Sequence, residues 1–125
     1  MKKIINTVNA PAAIGPYSQG VIIGDLVYTS GQLPINPQTK VMESEIKSAT
    51  KQSLENCKAI LESAGTNLDN VIKTMVFVKD LKDFTLVNEV YAEYFTKNFP
   101  ARSCVQVAKL PLDAMIEIEV IATLK

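Results

Sequence analysis

The sequence predicts an α+β fold, a mixed sheet with two helices on one face, and three observations carry that prediction. Helical periodicity occurs twice, over residues 44–64 and 83–98, and each stretch carries one apolar stripe. Residues 71–79 and the two ends of 99–120 instead alternate with period two, as strands do. Strand-like segments also precede the first helix, which gives the order β-β-β-α-β-α-β-β. At 125 residues the chain is expected to form a single domain, 1–125.

Taken in order, KKIINTV at 2–8 reads as a short strand. Pro11, Gly15 and Pro16 then impose irregular backbone over 9–16. Residues 17–23 and 26–30 read as a hairpin turned at Gly24-Asp25. From Gly31 a loop of about a dozen residues begins, a length that in a compact domain is often functional. In the first helix Ile46, Ala49, Ser53, Cys57, Ile60, Leu61 and Ala64 share a face, with Ser44 as the expected N-cap and Gly65 as the C-terminal glycine. The strand at 71–79 is apolar on both faces, so it needs cover on both. The helices supply one cover, and another subunit is the candidate for the second. Phe84, Val87, Tyr91, Tyr94 and Phe95 form the second helical stripe, capped by Asp80 or Asp83 and ended by Pro100. The last stretch reads as two strands joined at 110–113. Arg102, Cys104 and Gln106 alternate on the first, Glu117 and Glu119 on the second. Pairing across that turn would place Arg102 and Glu117 on one polar wall.

Bulk properties narrow the function. Lysine plus arginine equals aspartate plus glutamate at 13 each, and no basic run supplies the stripe that nucleic-acid binding needs. No apolar run approaches the ~20 residues of a membrane helix. Residues 1–6 begin like a secretory leader and break at Asn6, so a cytoplasmic location is expected. Cys57 and Cys104 form no CxxC or metal-like spacing and suit a reducing compartment. The chain contains no histidine, which removes Ser-His-Asp and Cys-His nucleophiles and the usual zinc sites. No glycine-rich phosphate loop occurs, so no nucleotide cofactor is expected.

Arg102 offers a planar, bidentate fork for a carboxylate or phosphate. Its competing use is a salt bridge to Glu117 or Glu119. Glu117 could position a water or move a proton, or be a solvated edge glutamate. Cys104 lacks a histidine to activate it, although a neighbouring guanidinium can lower a thiol pKa. A lining role suits it better. Tyr17 and Ser30 end strands beside glycine or proline, where side chains reach clefts, and Gly31 can admit a ligand close to the backbone or serve a turn. Spacing alone thus leads to a small carboxylated ligand near Arg102 and to no reaction.

APAAIGPYSQG (10–20), YTSGQLP (28–34), VKDLKDFTLVNEVY (78–91) and PARSCVQVAKLP with IEIEVIA (116–122) resemble the RidA/YjgF family of reactive enamine/imine deaminases. The resemblance runs nearly end to end. It implies a chorismate-mutase-like fold, a homotrimer with clefts between subunits, and cofactor-independent hydrolysis of 2-iminopropanoate and 2-iminobutanoate to 2-keto acids and ammonia. It also implies that Arg102 binds the substrate carboxylate and Glu117 positions water. Backbone at Gly31 and Cys104 would complete the pocket, lined by Tyr17, Ser30 and Phe84, with no metal. Gln106, Lys109 and Leu112 depart from the residues frequent in the family, at positions that bear on partner surfaces and substrate preference. Two other roles attached to relatives compete: a ligand-sensing trimer acting on a transcription factor or metabolic enzyme, and a ribonuclease.

Overall fold

The computed structural model describes all 125 residues. Strands β1 (Lys3–Ile5), β2 (Gly20–Ile23) and β3 (Leu26–Thr29) precede helix α1 (Ile46–Ser63). Strand β4 (Val71–Val78), helix α2 (Phe84–Tyr94), β5 (Ala101–Gln106) and β6 (Ile116–Thr123) complete the chain. The six strands form one sheet in the order β1-β2-β3-β6-β4-β5, and only the β4–β5 pair is parallel. The expected α+β class and order of elements are therefore observed.

Both helices lie on one face of the sheet. Thr74, Val76 and Val78 of β4 and Ile116, Ile118, Val120 and Ala122 of β6 point into that layer and are buried. They meet Ala49, Leu54, Cys57, Ile60 and Leu61 of α1 and Val87, Val90 and Tyr91 of α2 in one core. Each large aliphatic side chain buried there contributes about 1.5–3 kcal/mol. Cys57 donates its thiol proton to the Ile118 carbonyl at 3.4 Å, and burial pushes its pKa up to about 12, so this cysteine is a packing residue. Helix α1 ends where Gly65 takes φ +90° and Thr66 N–H reaches back to the Leu61 carbonyl.

The opposite face is only partly covered. Lys73, Met75 and Phe77 of β4 and Glu117, Glu119 and Ile121 of β6 lie there, all partly exposed. The second apolar face expected for 71–79 thus exists, at Met75 and Phe77, and the chain itself covers it only in part.

Three local expectations change. Glu45, not Ser44, caps α1: its backbone is extended, and its carboxylate accepts from Lys47 N–H at 3.0 Å. Helix α2 stops at Tyr94 because Phe95 turns extended and tucks its ring against Tyr91, centroids 4.6 Å apart. Asp80 caps the short turn 81–83, and Asp83, at the helix start, makes no side-chain cap bond.

The largest correction concerns the last two strands. They do not pair, because β4 lies between them. Arg102 registers with Thr74 and Cys104 with Val76, which puts both on the helix face. Glu117 registers with Phe77 on the open face. The shared polar wall of Arg102 and Glu117 does not exist within one chain.

Candidate active site

Two separate clefts hold most of the candidate residues. The larger, about 820 Å³, opens beside Glu117 and is lined by Tyr17, Ser30, Gly31, Leu33, Lys40 and Leu112 among others. That volume suits a small-molecule site. Its walls come from two loops pinned by buried amides. Gln19, 2% exposed, donates to the carbonyls of Thr7, Ala10 and Pro11 and accepts from Thr7 N–H. This ties down the proline-rich segment that leads to Tyr17. Asn56 of α1 donates to the Leu33 and Ile35 carbonyls, both at 3.0 Å, and holds the opposite wall. Buried amides bonded this fully fix the backbone around them.

Gly31 and Glu117 are matched. The chain beyond β3 runs beside β6, with Gln32 and Ile118 exchanging backbone bonds at 2.7 and 3.1 Å. This brings the Glu117 side chain over Gly31, where an added Cβ would sit 2.7 Å from the carboxyl carbon. The glycine here serves close approach, since its φ is not in the left-handed region. Burial, and then the like charge of Glu119, raise the Glu117 pKa above the ordinary glutamate value. A half-buried carboxylate so placed can exchange a proton nearer neutrality than a surface glutamate. The Ser30 hydroxyl is already committed, donating to the Ser18 carbonyl. Tyr17 is 52% exposed at the rim.

The second cleft, about 460 Å³, is shallow and lies at the β5 edge, with Asn88, Tyr91, Phe95, Phe99 and Arg102 in its lining. Arg102 Nη1 donates to Asn88 Oδ1 at 2.7 Å. Its guanidinium carbon stands 4.7 Å from the Tyr91 ring centroid and 5.4 Å from that of Phe84. The expected alternative use of Arg102, a salt bridge to Glu117 or Glu119, is absent. All three ion pairs, Lys47–Glu89, Lys79–Asp113 and Lys82–Asp80, lie elsewhere. Burial raises the Cys104 thiol pKa and outweighs the lowering effect of Arg102, so the thiol is not the activated nucleophile that its neighbour suggested.

The structure therefore gathers Tyr17, Ser30, Gly31 and Glu117 in one cleft and places Arg102 in another. Phe84 stands behind the Arg102 guanidinium without lining that cleft, and Cys104 lies two residues along β5. No group of three His, Cys, Asp or Glu side chains converges as a metal site. Sequence periodicity does not single out Asn88 or Thr74. The available signal was a polar residue four positions after Phe84 and three before Tyr91, on the border of an aromatic stripe.

A family model described as Endoribonuclease L-PSP matches residues 7–124. The 2-iminobutanoate/2-iminopropanoate deaminase of Escherichia coli strain K12 is 54% identical over 125 residues, covering 98% of both chains. A RutC family protein of Pyrococcus horikoshii is 53% identical, again with 98% of each chain covered. Among solved structures, the E. coli YjgF gene product matches with a TM-score of 0.95 at 52% identity, covering 98% of this chain and 99% of that one. E. coli TdcF with bound serine matches with a TM-score of 0.94 at 50% identity, covering 97% and 98%.

Proposed function

The chain belongs to the RidA/YjgF family, the family of the Endoribonuclease L-PSP model, and from that premise we propose that it is a cofactor-independent deaminase of small 2-imino acids. 2-Iminopropanoate and 2-iminobutanoate are the first candidates. The observation that carries the reading is an arginine with no anionic partner together with a half-buried glutamate of raised pKa. One suits the substrate carboxylate and the other suits the attacking water.

Because these two groups occupy opposite faces of one sheet, a single chain cannot apply both to one small substrate. The reading therefore includes a homotrimer, in which the Arg102 edge of one copy meets the Glu117 cleft of the next. The partly uncovered face of β4 and β6 supports that assembly. Arg102 would hold the carboxylate through its fork. Backbone groups at Gly31 and Cys104 would seat the rest of the substrate, with Tyr17, Ser30 and Phe84 as walls. Water, oriented by Glu117, adds to C2 of the protonated imine and gives up a proton to the carboxylate. Glu117 returns that proton to nitrogen, the C–N bond breaks as the new hydroxyl passes its proton through Glu117 to the departing ammonia, and keto acid and ammonium leave. A protonated imine is already electrophilic, so orientation supplies most of what the step needs.

A ligand-sensing role would use the Arg102 site equally well, but a second negative charge is of no use to a site that only binds a carboxylate. A ribonuclease reading finds neither a basic stripe nor a histidine to draw on. The free Cys57 and Cys104 fit a cytoplasmic enzyme.

The test generates iminopropanoate in situ and follows its loss to a trapping nucleophile. Wild type should accelerate hydrolysis, Arg102→Ala should abolish the effect, and Arg102→Lys should retain part of it because an ammonium lacks the planar fork. Equal rates for wild type and Arg102→Ala would overturn the assignment.

A further inference from the structure

We propose that Asn88 is a positioning residue that aims the Arg102 guanidinium while leaving its charge unneutralised. This rests on reading Arg102 as the carboxylate clamp. The arginine is held from one face of α2 by Phe84, Asn88 and Tyr91, spaced four and three residues apart so that all three point the same way. Asn88 Oδ1 takes one Nη1 proton at 2.7 Å, and the two rings support the guanidinium plane. The Tyr91 ring is itself fixed, since its hydroxyl shares a 2.9 Å hydrogen bond with the fully buried Thr74. Thr74 is also the register partner of Arg102 on β4, so strand and helix brace the same side chain.

All three contacts are neutral. A partly buried arginine ordinarily pairs with a carboxylate, and Arg102 has none within ion-pair distance. A guanidinium carries five donors in a rigid fork, and the one bond to Asn88 leaves the others for an incoming anion. An aspartate at position 88 would have the same shape and still accept the 2.7 Å bond. It would also bring a permanent anion to the fork and compete with the substrate carboxylate. The amide thus orients the cation without spending its charge.

This gives an ordering that a purely structural role would not produce. If Asn88 only packs and accepts a hydrogen bond, Asn88→Asp should resemble wild type more than Asn88→Ala does. The proposal predicts the reverse: KM for the imino acid rises at least about tenfold in Asn88→Asp and only a few-fold in Asn88→Ala, with kcat changed less than KM in both. Binding of the product 2-oxobutanoate, measured by calorimetry, should weaken in the same order, which tests the proposal even without turnover. Asn88→Asp with wild-type KM and product affinity, while Arg102→Ala remains inactive, would overturn the role of Asn88 and leave the clamp standing. An active Arg102→Ala would instead remove the reading beneath it. Should Asn88→Asp not fold, an unchanged KM in Asn88→Ala overturns the proposal.

Discussion

The Arg102 edge and the Glu117 cleft lie on opposite faces of one sheet, and they treat charge in opposite ways. Around Arg102 every contact is neutral, an amide and two aromatic rings, so the cation keeps its full capacity for an anion. Around Glu117 the nearest influences oppose ionisation, burial first and then Glu119. One region preserves a fixed charge; the other makes a charge adjustable. A site that must hold a carboxylate while passing a proton to and from water needs one of each, and neither region supplies both.

The sharpest way to break the comparison is to disturb the Glu117 side without touching its charge. Gly31→Ala would force the Glu117 side chain from its place over the backbone. A displacement of about 1 Å can cost on the order of 10²-fold in rate, so kcat should fall by about that much, while product binding, shared between Arg102 and the Gly31 backbone, should weaken far less. Equal loss of both in steady-state kinetics and calorimetry would show that the two regions are not separate functional parts.

A smaller effect sharpens the account of Glu117. In the proposed mechanism its ionised form orients the water, so activity should rise as pH passes upward through its pKa. That pKa is raised, and Glu119 supplies part of the rise, so Glu119→Gln lowers it toward the ordinary value. The acid limb of the kcat profile should therefore move to lower pH, with the plateau kept within about threefold. An unmoved limb would assign it to another group.

These differences also mark where the sequence was legible. Helices and strands could be ordered because their apolar periods, 3.6 and 2, are local properties. Arg102 and Glu117 could be picked out because a guanidinium and a strand carboxylate stand out chemically. Their relation could not be read from alternation, which fixes the side of a residue only relative to its own strand. It says nothing of what lies between two strands. The available clue was β4 itself: a strand apolar on both faces belongs at a sheet's interior, and a strand-helix-strand run such as β4–α2–β5 joins parallel neighbours. That places β5 beside β4, and the observed pairing of β6 on the other side of β4 separates the two charges. Asn88 stayed hidden for a related reason, since the task proposed for it depends on a register that only the folded sheet sets. The cap at Glu45 was a closer contest, decided by which of two adjacent residues has extended backbone.

The central claim is that Arg102 of one copy and Glu117 of another serve the same substrate. Complementation tests it most directly. Arg102→Ala and Glu117→Gln are each expected to be inactive alone. Unfolded together in equal amounts and refolded, they should form mixed trimers in which about a quarter of the subunit junctions pair an intact Arg102 with an intact Glu117. Imine hydrolysis should return to about a quarter of the wild-type rate per subunit. If both groups acted within one chain, every chain in the mixture would lack one of them, and the mixture would stay as inactive as its parts.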